Sequence, residues 1–149
     1  MSKFTLEQVQ EFDDEEEDAV FRVRSLSKNG RNDFNSFRKK AQKDGSGTDI
    51  ERFLRSLDDF RMGLSLPPNR FKKLGTRKET GSRVHEGEHE FKIGQLRIYC
   101  VKVNDTLIIC FSGHTKKGKG TKTDQVDEIN SFRARLREIN QPLADLPDN

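Results

Sequence analysis

The sequence predicts an α+β domain: an N-terminal strand and an αα-hairpin packed on an antiparallel β-meander, with a helix at the C-terminal end. Three observations predict it. Helical periodicity runs through residues 31–43 and again from 48 to 64, on either side of the break Asp44-Gly45-Ser46-Gly47. Three short β-type runs then follow between residues 89 and 112, joined by two-residue turns. Last, residues 124–139 carry Val126, Ile129, Phe132, Leu136 and Ile139 at helical spacing, and Pro142 ends the pattern.

The elements follow in chain order. Residues 1–19 hold one basic residue, Lys3, against eight acidic ones, a local charge of −7. The unbroken run Asp13–Asp18 repels itself, so this stretch reads as an acidic, flexible leader with a short fraying helix around Phe4–Phe12. Such a leader is either a solvated tail or a strap over a basic site. Val20–Ser27 alternates as a strand and Asn29-Gly30 turns it. Phe34, Phe37 and Ala41 mark one face of the first helix. Thr48 with Glu51 forms a capping box for the second, whose stripe is Ile50, Phe53, Leu54, Leu57 and Phe60. Pro67-Pro68 stops it. Residues 69–87 are polar and basic, with a brief element expected near Phe71–Leu74. His89–Ile93, Leu96–Val103 and Thr106–Ser112 are the meander, and Gly113–Lys122 reads as an exposed basic loop. The expected organisation is therefore a leader over 1–19, a domain over 20–140 and a tail over 141–149.

Composition bounds the function. The 149 residues are 31% hydrophobic and 36% charged, enough for one domain with a modest core. No apolar run reaches membrane-spanning length, and a cytoplasmic protein without a membrane partner is expected. Cys100 and Cys110 lie in apolar runs, as buried thiols do, and are too few for a zinc site. Net charge is +3, but residues 69–122 alone carry thirteen Lys/Arg against five Asp/Glu, which points to a polyanionic partner.

Two motif matches fail on chemistry. Gly113–Lys119 spells G-x-x-x-x-G-K after a strand, yet Gly120 stands where a P-loop needs a magnesium-binding hydroxyl. Around Gly47 a calcium loop would need Gln42 and Phe53 as ligands, which excludes it. No metal and no cofactor is expected. What remains is a basic group on the meander. Arg97 and Tyr99 share one face of the middle strand, Lys92 lies across the turn, and His114, Lys116 and Lys117 leave the third strand. Several cations and an imidazole around one phosphate suit RNA cleavage, in which the substrate's own 2′-OH attacks. Lys72, Lys73, Arg77, Lys78, Lys119 and Lys122 are candidate RNA-binding residues.

The segments Phe71-Lys72-Lys73-Leu74, His89–Ile93, Leu96-Arg97-Ile98-Tyr99 and Ile109–Lys117 resemble, in order and spacing, the RelE/ParE toxin superfamily, and within it the phage-associated HigB-like branch. The resemblance implies a small RelE-like fold and the toxin of a type II toxin–antitoxin pair. It implies an endoribonuclease (mRNA interferase) that cuts mRNA on the ribosome and arrests growth, with a cognate antitoxin, a helix-turn-helix protein encoded beside it, as partner. By position, Arg97 matches the family's phosphate-binding arginine and Lys92 a basic position before it. His114, Lys116 and Lys117 fall where related toxins place basic or imidazole catalytic groups. Glu90, Thr115 and the lack of a tyrosine after the basic loop depart from the pattern. A ParE-like gyrase inhibitor and a non-catalytic RNA-binding module are the alternatives.

Overall fold

Every residue from Leu107 to Phe111, and from Leu96 to Val101, is buried, as strands covered on both faces must be. They are the centre of the fold. A computed structural model of the protein describes residues 2–9, 11–74, 87–116 and 122–149, with the backbone alone for 122–124. The elements are β1 (Phe4–Gln8), β2 (Arg22–Lys28), β3 (Arg31–Asn32), α1 (Asp33–Lys43), α2 (Gly47–Arg61), β4 (Phe71–Lys73), β5 (Glu88–Ile93), β6 (Leu96–Lys102), β7 (Leu107–Thr115) and α3 (Lys122–Glu138). A 3₁₀ turn, Leu143–Asp145, follows.

The strands form one mixed sheet in the order β1-β2-β7-β6-β5-β4, with β3 on β2. All pairs are antiparallel except β2 with β7, where Arg22–Ser25 run alongside Leu107–Cys110. The α+β class and the strand, helical hairpin, meander, helix order are as the sequence predicts.

Strand alternation divides the core in two. On one face Phe34 and Phe37 of α1 and Ile50, Phe53 and Leu57 of α2 pack on Phe91, Ile98 and Cys110. On the other, Ile129 and Phe132 of α3 cover Tyr99, Val101, Ile109 and Phe111. Cys100 and Cys110 are buried free thiols with their sulfurs 3.6 Å apart. Burial pushes the Cys100 thiol up from its ordinary value.

The two chain ends depart from expectation. Residues 4–8 are a strand rather than a fraying helix, paired antiparallel with β2 from Phe4↔Lys28 to Gln8↔Arg24. Leu6, Val9 and Phe12 of the expected leader are 2–4% exposed. In the expected tail, Leu143 and Leu146 are buried, and the backbone of Leu6 exchanges hydrogen bonds with Pro147 and Asn149 at 2.8 Å. Buried Arg24 joins both ends, bonding Asp14 and Asp148. Its guanidinium holds the Asp14 carboxyl below the usual carboxylate range. Glu11 and Glu16 pair with Arg38 and Arg61. Three acids of this segment, Glu11, Asp14 and Glu16, are thus paired with arginines of the fold itself.

Smaller departures are local. Arg31 and Asn32 pair with β2 before α1 begins, and Asn32 caps that helix by accepting from the Asn35 amide at 2.9 Å. The capping box at Thr48 does not form: α2 starts at Gly47 after Ser46. Asn29 and Gly30 have φ of 52° and 81°, the two positive angles of a type I′ turn.

The consequential departure is at β7, which runs to Thr115. Gly113 and His114 are therefore strand residues and not loop. Gly113 is required by packing: a Cβ there would lie 2.7 Å from the Phe37 ring and 2.9 Å from the Arg97 carbonyl oxygen. Gly113→Ala should destabilise the domain by about 1–3 kcal/mol, read as a lowered urea midpoint. An unchanged midpoint would show that α1 does not press on the sheet here.

Candidate functional site

The hairpin register builds the site. Lys92 is the cross-strand mate of Arg97, and Arg97 is the mate of His114. Directly opposite residues stand on one face, so the three form a row across β5, β6 and β7 on the side covered by α3. The next row on that face is Lys72, Glu90, Tyr99 and Ser112. Lys92 is exposed, Arg97 is 7% exposed and His114 is half-buried.

An arginine on a central strand needs an anion or a cleft. Glu90 supplies the anion, with Oε1 3.6 Å from Arg97 Nε; the side chains are 2% and 8% exposed. Arg97 Nη1 donates to the carbonyls of Gly94 and Leu96, each at 2.9 Å. Nη2 has no partner among the described residues. The fork is thus held rigid with one nitrogen to spare.

His114 lies beside Tyr99. The rings stack at 5.8 Å with 9° between their planes, and the Tyr99 hydroxyl is 3.0 Å from His114 Nε2. Past His114 the strand opens into a cleft of about 930 Å³ between α1, the end of β7 and α3. His114 and Lys116 border it, whereas Arg97 and Lys92 do not. Carboxylates outnumber cations in its described lining, with Asp33, Asp44, Asp127, Glu128 and Glu138 against Lys40, Lys116 and Arg135. Arg135 of α3 binds both Asp33 of α1 and Glu138, each at 3.2 Å, which ties the two helices together. Among the described residues the cations therefore gather on the strand row and not in the cleft.

The other expected residues divide. Lys72 is exposed on β4 on the face of the row, while Lys73 points to the opposite face, beside His89. His89 stacks on Phe71 at 4.6 Å, and burial lowers its pKa from the ordinary imidazole value. Lys116 donates its backbone N–H to Gln95 at 2.7 Å. Lys122 is the first residue of α3, and its side chain, like the whole of Arg77, Lys78, Lys117 and Lys119, lies outside the described residues. Sequence reasoning took Glu90 only as a departure from the family pattern, not as the partner of Arg97, and passed over the contact of Tyr99 with His114. Period-2 alternation could have found both, once β7 was extended to include His114.

Among the described residues no group of three or more His, Cys, Asp or Glu could hold a metal, and no helix is long and apolar enough to cross a membrane. No protein-family model, curated protein or solved structure matches the chain.

Proposed function

We propose that this protein is a metal-independent endoribonuclease of the RelE/HigB type, the toxin of a toxin–antitoxin pair, acting on mRNA at the ribosome. The row Lys92–Arg97–His114 carries the proposal: two cations and an imidazole stand side by side on one face, held by strand register. The order strand, helical hairpin, meander, helix supports a RelE-like fold for the domain. Arg97 Nη2 and Lys92 would hold the scissile phosphate and stabilise its added charge. His114 would exchange a proton with the 2′-OH or the departing 5′-oxygen. The cognate antitoxin would be the partner that blocks this face.

Expression in bacteria should arrest growth, and mRNA in a translation extract should be cut with EDTA present. Arg97→Ala leaves Glu90 buried without its cation, so the informative variants are Lys92→Ala and His114→Gln, both at positions with solvent access. His114→Gln should lower cleavage by about 10²–10⁴-fold with the melting temperature unchanged. Intact mRNA together with blocked DNA supercoiling would replace this reading by a gyrase inhibitor. RNA binding without any cutting would replace it by a non-catalytic module.

A further inference from the structure

β4 is the last strand of the sheet, and its outer side is open. Toward β5 it uses the Arg70 carbonyl, which accepts from the Lys92 amide at 2.8 Å, and the Leu74 amide, which donates to the Glu88 carbonyl at 2.9 Å. Antiparallel alternation then turns the N–H and C=O groups of Phe71 and Lys73 away from β5. They bond nothing among the described residues. The opposite edge of the sheet is occupied: at β1 the chain's own Pro147 and Asn149 take up the backbone of Leu6.

Beside β4 lies a groove of about 290 Å³ between Phe60, Leu64, Leu66, Pro67, Pro68 and Phe71. Among the described residues two large hydrophobic side chains are exposed, Val20 at 47% and Leu64 at 58%, and both are here. Leu64 lines the groove, and Val20 Cγ2 is 3.0 Å from where a Cβ on the neighbouring Gly63 would stand. An edge that is merely blunted against aggregation is flanked by charge, not by an apolar groove. The charge is on the strand itself: Lys72 and Lys73 are exposed, and neither is ion-paired among the described residues. Side chains alternate along a strand, so Phe71 faces the groove and α2 while Lys72 faces the other side of the sheet. Two copies of the chain meeting at β4 would set lysine against lysine, which disfavours self-pairing. A strand with apolar residues on one side and carboxylates on the other meets both faces at once.

We propose that the edge of β4 and this groove are a docking site for an extended segment of a partner protein, alternating apolar and acidic residues, that adds to the sheet as a further strand. Its backbone pairs with Phe71 and Lys73, its apolar side chains enter the groove, and its carboxylates lie beside Lys72. Neither Arg97 nor His114 borders the groove, so the inference stands apart from the nuclease reading.

The probe is a capped octapeptide of alternating valine and glutamate, titrated into the ¹⁵N-labelled full chain. The Phe71 and Lys73 amides should shift saturably below about 1 mM peptide and exchange more slowly with deuterium. The same peptide with its backbone nitrogens methylated should bind at least about ten-fold more weakly, because it cannot donate to the edge. Lysine in place of its glutamates should weaken binding at least about five-fold. Lys73→Pro removes a donor that β5 does not use, so the sheet should persist while binding is lost. Lys73→Ala keeps that N–H and should cost less than about five-fold. The methylated peptide keeps the test sound if the proline variant does not fold. Amides of Phe71 and Lys73 that do not respond, or methylated or lysine peptides that bind as well, would overturn the proposal. Self-association that protects these amides without any peptide would also overturn it, and would assign the edge to a second copy of this chain.

Discussion

A chain lacking residues 1–18 should fail to fold. The deletion removes β1 and with it five backbone pairs to β2, together with the buried side chains of Leu6, Val9 and Phe12. Truncating one buried Leu or Phe typically costs about 2–5 kcal/mol, against a total stability of about 5–15 kcal/mol for a domain. The deletion also takes Asp14 from buried Arg24 and Glu16 from buried Arg61. Circular dichroism should show no cooperative melt, and Phe12→Ala, which keeps the strand, should lose about 3–5 kcal/mol in urea. A truncated chain that melts like the full one would return this segment to the status of a tail. The notion of an acidic strap over a basic site meets the same geometry. Its described ion pairs go to Arg24, Arg38 and Arg61, none of which belongs to the row at Arg97.

Glu88→Ala should destabilise the domain by about 3–5 kcal/mol. Glu88 and Arg133 are paired at 2.6 Å with side chains 0% and 1% exposed, under the helix that covers the candidate site. Removing the carboxylate takes from the buried Arg133 guanidinium the charged partner it holds at 2.6 Å. Exchanging both residues, Glu88→Leu with Arg133→Met, should recover most of the loss, because two apolar groups of similar volume need no counter-charge. Urea unfolding of the single and double variants measures the difference. A single variant that loses under about 1 kcal/mol would place the pair among the weak ones usual at surfaces.

The meander and the helical hairpin are legible in the residues because their signals are local. Ile50, Phe53 and Leu57 mark a helix face wherever they fold, and Gly94-Gln95 turns the chain between two β-rich runs. The same locality misleads at Phe4–Phe12, where apolar residues at mixed spacing precede a run of acids. Its partners β2 and Pro147–Asn149, both distant in sequence, decide that this segment is extended. Gly113 misled in the other direction, since glycine weakens a strand in isolation. Here the Phe37 ring of α1 occupies the space a side chain would need, so packing selects the glycine and keeps it in β7.

The candidate site divides in the same way. Residue types and alternation alone determine that a strand carries Arg97 and Tyr99 on one face, near Lys92 and a histidine. Register, which depends on the whole hairpin, decides that Lys92, Arg97 and His114 form a single row. It also brings Glu90 to the guanidinium and the Tyr99 hydroxyl to the imidazole. A one-residue slip would send every one of these side chains to the opposite face. The buried faces of both cores forbid that slip, so the placement of the site is a property of the tertiary structure.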